Sequence, residues 1–249
     1  MRVRALRHAG AVAAVTTLAL ALTACAGEEK KTEDSGKADA SASAAAKPDV
    51  TALPAADLEK LLVTQADLKG YKVEQAKPAE HVNAGDVSAD KPACEPLAEA
   101  LSWAAPGTPG ASATVKTIPI PQKKGSFEDA LGTFAAPVTS VTLGSYAGEG
   151  AQQALASLKA AGTECAGGFT IHGGGVATKV TKVQPDTVTA GDEALAWTVT
   201  RDMEGEPFVT KLAVLRKGNN LAGFATLSIS GEVKEQPKTV IDAQAAKLG

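Results

Sequence analysis

Apolar residues recur at helical spacing in four stretches of the chain. Within each stretch they lie three or four positions apart, which places them on one face of an α-helix. The stretches are 54–70, 96–104, 151–162 and 235–248. Pro96 and Pro237 lie where a first helical turn accepts proline, and Gly70 and Gly162 are expected to end their helices. The pattern therefore predicts helices early, in the middle and at the end of the chain.

Shorter segments between these helices alternate between apolar and polar residues or run apolar, as is typical of β-strands. They are 113–120, 138–146, 176–183, 194–200, 208–215 and 221–229. Residues 217–220 form a tight Lys-Gly-Asn-Asn connection, which predicts an antiparallel hairpin. The polar segments 77–93 and 123–134 predict loops, the second with a helical turn. Together the elements predict an α+β fold with one twisted, mainly antiparallel sheet and helices packed on it.

The N-terminus has the pattern of a secretory signal peptide. Three arginines precede an apolar run over 9–21, which ends in Leu22-Thr23-Ala24-Cys25. These four residues resemble the lipobox of bacterial lipoproteins, and the resemblance implies that Cys25 becomes the lipidated first residue. The alternatives are an ordinary cleavage site or a membrane helix followed by an accidental cysteine. The run is shorter than the roughly 20 residues that a spanning helix needs, which favours the lipoprotein.

Composition divides the rest of the chain into two parts. Residues 25–51 are rich in Ala, Ser, Lys and Glu and contain almost nothing large and apolar, which predicts a disordered tether. Residues 52–249 are then expected to form a single folded domain. Removing 1–24 takes away three Arg and no acid, so the formal charge falls from −3 to −6. An acidic protein of this kind gives no electrostatic reason to expect nucleic acid as a partner.

Two cysteines remain once Cys25 is assigned to the lipid. In an oxidising compartment Cys94 and Cys165 most simply form one disulfide. That bridge would join the start of one predicted helix to the exit of another. The alternative is a reactive Cys94 thiol, because a helix N-terminus lowers the pKa of a thiol.

Two short strings match enzyme motifs. Residues 172–175, His-Gly-Gly-Gly, spell the oxyanion loop of some α/β-hydrolases, but the chain lacks the Gly-x-Ser-x-Gly nucleophile motif that the chemistry requires. Their position between two predicted strands favours a glycine turn. Residues 88–91 match Ser-x-x-Lys of penicillin-binding enzymes without the companion boxes, and we interpret the match as chance.

Other candidate site residues are few. His81 and His172 are the two histidines beyond the signal peptide, and they are far apart in sequence. No zinc, calcium or phosphate-loop motif occurs, so no metal or cofactor is expected. The acidic cluster 191–193, with Asp192 at its centre, is interpreted as a solvated turn. Trp103 and Trp197 are expected in or near the core, Trp197 on the same sheet face as its neighbours two residues away.

Several segments together resemble lipoproteins of high-GC actinobacteria. They are 62–71 (LVTQADLKGY), 94–98 (CEPLA), 165–168 (CAGG) and 215–219 (LRKGN). The layout resembles, more distantly, the PknH-like extracellular sensor domain found on receptor kinases and free lipoproteins of mycobacteria. That resemblance implies helices packed on an antiparallel sheet with a cleft, and usually two disulfides, of which this chain can form one. It implies no catalytic residue.

The sequence thus favours a binding protein over an enzyme. We expect a lipoprotein held by Cys25 at the extracytoplasmic face of the cell membrane, whose domain binds a small ligand or an envelope protein. The alternatives are a cell-envelope hydrolase with an unrecognised site and a purely structural envelope protein. The position of any ligand site is not predicted by the sequence.

Overall fold

A nine-stranded antiparallel sheet organises the chain in a computed structural model, which describes residues 50–77, 80–120 and 135–249. The strands are β1 (Tyr71–Gln75), β2 (Val87–Ala89), β3 (Ala111–Pro119), β4 (Val138–Ser145), β5 (Phe169–Gly173), β6 (Val176–Asp186), β7 (Glu193–Met203), β8 (Glu206–Lys217) and β9 (Asn220–Leu227). Their order across the sheet is β1-β3-β4-β9-β8-β7-β6-β5-β2. The first two strands of the chain therefore form the two opposite edges.

Four α-helices accompany the sheet in the described residues: α1 (Ala55–Lys60), α2 (Glu95–Leu101), α3 (Gly150–Glu164) and α4 (Lys238–Leu248). Helices α2 and α3 pack on one face of the sheet, whereas α1 and α4 pack on the other. Successive residues of β8 show the division, because Leu212 and Val214 belong to the first core while Ala213 and Leu215 belong to the second. The described part of the chain is thus a single sheet between two helical layers, and the predicted α+β fold is confirmed.

Local details agree with the sequence patterns in several places. Lys217 pairs with Asn220, and Gly218 between them has a φ of +58°, as the predicted hairpin requires. Gly174 and Gly175 have φ values of +57° and +77° and form the turn from β5 to β6, so the His-Gly-Gly-Gly string consists of the end of a strand and the predicted glycine turn. Trp197 lies in the same core as Val199, on the predicted face.

Three predicted helix ends are wrong. Gly70 does not end α1, which stops at Lys60, and the rest of the predicted helix over 54–70 forms turns before β1. Gly162 does not end α3, which continues to Glu164. Helix α2 ends at Leu101, three residues before the end of the stretch 96–104 that was predicted to be helical. The Trp103 N–H bonds the carbonyl of Ala100 and the Ala104 N–H bonds that of Glu99, which together form a Schellman motif. Trp103 has a φ of +68° at the position where glycine is usual.

The predicted loop over 77–93 contains a short strand. Residues 87–89 pair with 171–173 of β5 and complete the sheet at that edge. The loop expected at 123–134, the signal peptide, Cys25 and nearly all of the proposed tether lie outside the described residues. No helix within the described ranges is both long and apolar enough to cross a membrane.

Candidate functional site

A groove of about 360 Å³ lies between α2, α3 and the loop that follows α2. Three prolines line it: Pro92 in the short turn before α2, Pro96 in the first turn of α2, and Pro106 in the loop. Because the proline ring fixes φ and carries no N–H, these walls are stiff and offer no backbone donor. The polar lining includes Glu95, Glu99, Thr108, Gln153 and Ser157. Its volume lies within the range of about 300–1,000 Å³ that is typical of small-molecule sites.

Glu99 is the main polar group of this groove. Its residue is only 7% exposed, although it carries a carboxylate. Oε2 accepts the backbone N–H of Gly107 at 2.9 Å. Burial raises the pKa of Glu99, the Gly107 hydrogen bond opposes this rise, and the charge of Glu95 adds to it. A partly desolvated carboxylate is thereby held at the wall of an open groove.

A chain of hydrogen bonds fixes the position of Glu99. The Tyr146 hydroxyl donates to the carbonyl of Pro106 at 2.7 Å, and Tyr146 is itself 1% exposed. Burial raises the pKa of this phenol, and the nearby charge of Glu99 raises it further. Gly107 has a φ of +77°, which a side chain would disfavour, and in this conformation its N–H reaches Oε2 of Glu99. The core thus positions the carboxylate through the loop.

The predicted disulfide joins the two helices that flank this site. Cys94 caps the N-terminus of α2 and Cys165 caps the C-terminus of α3, with their Cα atoms 5.8 Å apart. Both cysteines are buried. The bridge ties together the two helices that form the groove, and the alternative of a free, reactive Cys94 is wrong for this structure.

The histidines do not form a common site with Glu99. His172 is exposed on β5 next to the β5–β6 turn. His81 is also exposed and lines a neighbouring depression of about 560 Å³, which shares Gly107 and Thr108 with the groove. The described residues contain no group of three or more His, Cys, Asp or Glu side chains that could hold a metal ion.

The acidic cluster at 191–193 contacts the hairpin between β8 and β9. Oδ2 of Asp192 accepts the Gly218 N–H at 2.9 Å, and its carboxylate pairs with Arg216 and Lys217, each at 3.3 Å. The Gly218 hydrogen bond, followed by the contact with Lys217, lowers the pKa of Asp192. Residues 191–193 were interpreted as a solvated turn, and these contacts add that the turn braces the β8–β9 hairpin.

The Ser-x-x-Lys match at 88–91 is also structural. Asp90 Oδ1 accepts the Thr170 N–H at 2.8 Å, and Lys91 Nζ donates to the Gly168 carbonyl at 2.6 Å. Both contacts fasten β2 to the start of β5. The string therefore serves the sheet edge in this fold.

The candidate site residue that sequence reasoning missed is Glu99. A signal was present, because Glu99 stands in the middle of an otherwise apolar run at 97–101, where an acid is unexpected. Its partner is a backbone N–H eight residues further along, and no spacing rule connects the two.

No family model and no curated protein matches the sequence. Among solved structures, the chain is similar to the extracellular domain of PknH from Mycobacterium tuberculosis, with 12% identity and a TM-score of 0.45. The alignment covers 80% of this chain and 97% of that chain.

Proposed function

We propose that this protein is a membrane-anchored, extracytoplasmic lipoprotein whose domain binds a small ligand in the groove between α2 and α3, without catalysis. The observation that carries the binding site is the buried carboxylate of Glu99, held by Gly107 on the wall of a stiff groove. A few placed polar groups within apolar walls are characteristic of ligand sites.

The location rests on the sequence and on the disulfide. The basic, apolar and lipobox-like segments before Cys25 direct export and lipidation. A bridge between Cys94 and Cys165 suits an oxidising compartment, because the cytosol keeps thiols reduced. Two or more acyl chains on Cys25 would give stable attachment to the membrane.

The test is a fragment screen on isotope-labelled protein comprising residues 26–249, which is the mature chain without the lipidated cysteine. We expect fragments to shift amide signals of α2, of the loop at 106–108 and of α3. Gly107→Ala, which strains the loop that positions Glu99, should weaken this binding, whereas Gly174→Ala, strained to a similar degree in the distant β5–β6 turn, should not. A screen in which no fragment perturbs the groove would contradict the proposed site.

One observation favours a second function, a cell-envelope hydrolase. Burial, together with the charge of Glu95, raises the pKa of Glu99, and a carboxylic acid tuned in this way can act as a general acid. The test is turnover of peptidoglycan, ester and phosphate substrates by the wild type and by Glu99→Gln, with His81→Ala, His172→Ala and Asp192→Ala alongside. Turnover that one of these substitutions abolishes in a folded protein would replace the binding proposal.

A further inference from the structure

We propose that the groove recognises its ligand through a protonated amine, which donates a hydrogen bond to Oε1 of Glu99. This inference rests on the proposed function, since it names the chemical class of ligand for the same site. The ligand would place a primary ammonium group at Glu99 and an apolar portion against the proline walls.

The first support is the unfilled hydrogen-bonding capacity of Glu99. Its residue is more than nine-tenths buried, and Oε2 is already used by Gly107. No described residue donates to Oε1, which nevertheless retains accessible surface and is not enclosed in the core. Because Oε1 is open to the groove and has no donor among the described residues, a cationic donor can form a charge-assisted hydrogen bond there, in surroundings that are drier than those of a fully exposed acid.

The second support is the charge of the lining. Glu95 and Glu99 both line the groove, and no Lys, Arg or His is among the described residues that line it. An anionic ligand would meet repulsion from both acids, whereas an amine carries the complementary charge. A simple alkylamine has a pKa near that of lysine, about 10.4, so it remains protonated at neutral pH.

The number of available oxygens selects among cations. A guanidinium prefers to donate two parallel hydrogen bonds to both oxygens of one carboxylate. Here Gly107 already occupies one acceptor position of Oε2 on the side of the loop, which leaves Oε1 as the oxygen that carries no other hydrogen bond among the described residues. A compact ammonium, which acts as a point charge with rotatable donors, fits a single acceptor better than a planar fork does.

The remaining lining suits an apolar body with few polar substituents. Pro92, Pro96 and Pro106 present ring carbons, and Ala154 adds a methyl group from α3. Gln153 and Ser157 lie one turn apart on α3 and offer side-chain hydrogen bonds to a ligand that extends along that helix.

The test uses a matched pair of probes, cyclohexylmethylamine and its uncharged counterpart cyclohexylmethanol, titrated into labelled protein comprising residues 26–249. We expect the amine to bind in the groove at least about tenfold more tightly than the alcohol. Glu99→Gln keeps an oxygen for Gly107 but removes the charge, and it should abolish this preference. Glu95→Gln, at the exposed acid one turn earlier, should reduce it by about threefold at most.

A second measurement uses the wild type alone, so it tests the inference even if the Glu99→Gln protein does not fold. Nuclear Overhauser contacts between the methylene next to the amine nitrogen and the Gly107 amide would place the ammonium at Glu99. Their absence at saturation, equal affinity for the alcohol, or full amine binding by Glu99→Gln would overturn the inference. If uncharged or anionic fragments bind the groove instead, the proposed function stands and the amine inference fails. If no fragment binds there, both fail.

Discussion

Gly162 of α3 lies directly against the indole of Trp197 on β7. A Cβ built on residue 162 would lie 2.8 Å from Cε2 of that ring and closer still to Nε1. The glycine was expected to end the helix, but its role is to let α3 approach the sheet. The missing side chain thereby allows Trp197 to be buried, with only 4% of the residue exposed.

The first prediction concerns this close contact. Gly162→Ala should lower the free energy of unfolding by about 1–3 kcal/mol, because the added methyl group overpacks a rigid core despite the better helix propensity of alanine. Urea denaturation of purified protein would measure the change. Gly167→Ala is the control, since a Cβ there meets no atom within 4 Å and its φ is ordinary. An unchanged Gly162→Ala protein would show that α3 and Trp197 can separate without cost.

The second prediction concerns the ion pair between Asp186 and Lys211. The ammonium of Lys211 lies 2.9 Å from Asp186 Oδ2, and the lysine residue is 9% exposed. Asp186→Ala leaves this cation buried without its counter-ion and should cost about 3 kcal/mol in the free energy of unfolding. Asp57→Ala breaks the exposed pair with Lys60 and should change stability by less than about 0.5 kcal/mol. Equal effects of the two variants in chemical denaturation would contradict this assignment.

The same pair predicts a dependence on pH. Burial would raise the pKa of Asp186, but hydrogen bonds from Lys211, the Thr187 backbone and Gln236 outweigh it and lower the pKa to about 2. A carboxyl whose pKa is depressed by folding stabilises the fold above its ordinary pKa, about 4, and loses that contribution as the pH falls towards 2. The stability difference between wild type and Asp186→Asn should therefore shrink between pH 4 and pH 2. A constant difference over that range, measured by thermal unfolding, would show that Asp186 is not selectively stabilised in its charged form.

The third prediction concerns the disulfide. Replacing Cys94 or Cys165 by alanine should lower the free energy of unfolding by about 2–5 kcal/mol, because the bridge closes a long loop of the unfolded chain. Amide signals at the groove should also broaden in these variants, since the bridge ties α2 to α3. Thiol labelling of the denatured, unreduced wild type is the direct check, and two free thiols would refute the bridge.

The fourth prediction concerns the anchor. Mass spectrometry of the native N-terminal peptide should find a diacylglyceryl group on Cys25. Cys25→Ala should release the protein into the medium, because no other segment is expected to hold it. Membrane-bound protein with an unmodified Cys25 would exclude the lipoprotein proposal.

Sequence patterns predicted the parts of this fold that depend on neighbouring residues. The β8–β9 hairpin follows from a glycine at its turn, and the face of Trp197 follows from alternation along one strand. The disulfide followed from counting, because Cys94 and Cys165 were the pair left in an exported chain. The hairpin and the face of Trp197 depend only on residues that are close in sequence, and the disulfide depends only on the number of cysteines.

The features that were missed depend on distant partners. Strand β2 has three residues, too few to show a period, and it exists because β5 offers it an edge. An amphipathic stripe indicates that a helix is buried on one side but not which face of a sheet it covers, so the two helical layers were not predicted. Glu99 was missed because Gly107 and Tyr146, which position it, come from two other parts of the chain.

The position of β1 and β2 at opposite edges of the sheet has a consequence for folding and aggregation. They lie close together near the start of the chain, yet β1 pairs with 115–119 and β2 with 171–173. During synthesis, which starts at the N-terminus, β1 and β2 are made before the strands with which they pair and stay unpaired until those strands follow. Until β1 and β2 pair with them, β3 and β5 have unpaired backbone edges that can bind other chains. Proteolytic removal of residues 71–89, which contain both β1 and β2, would expose both edges at once.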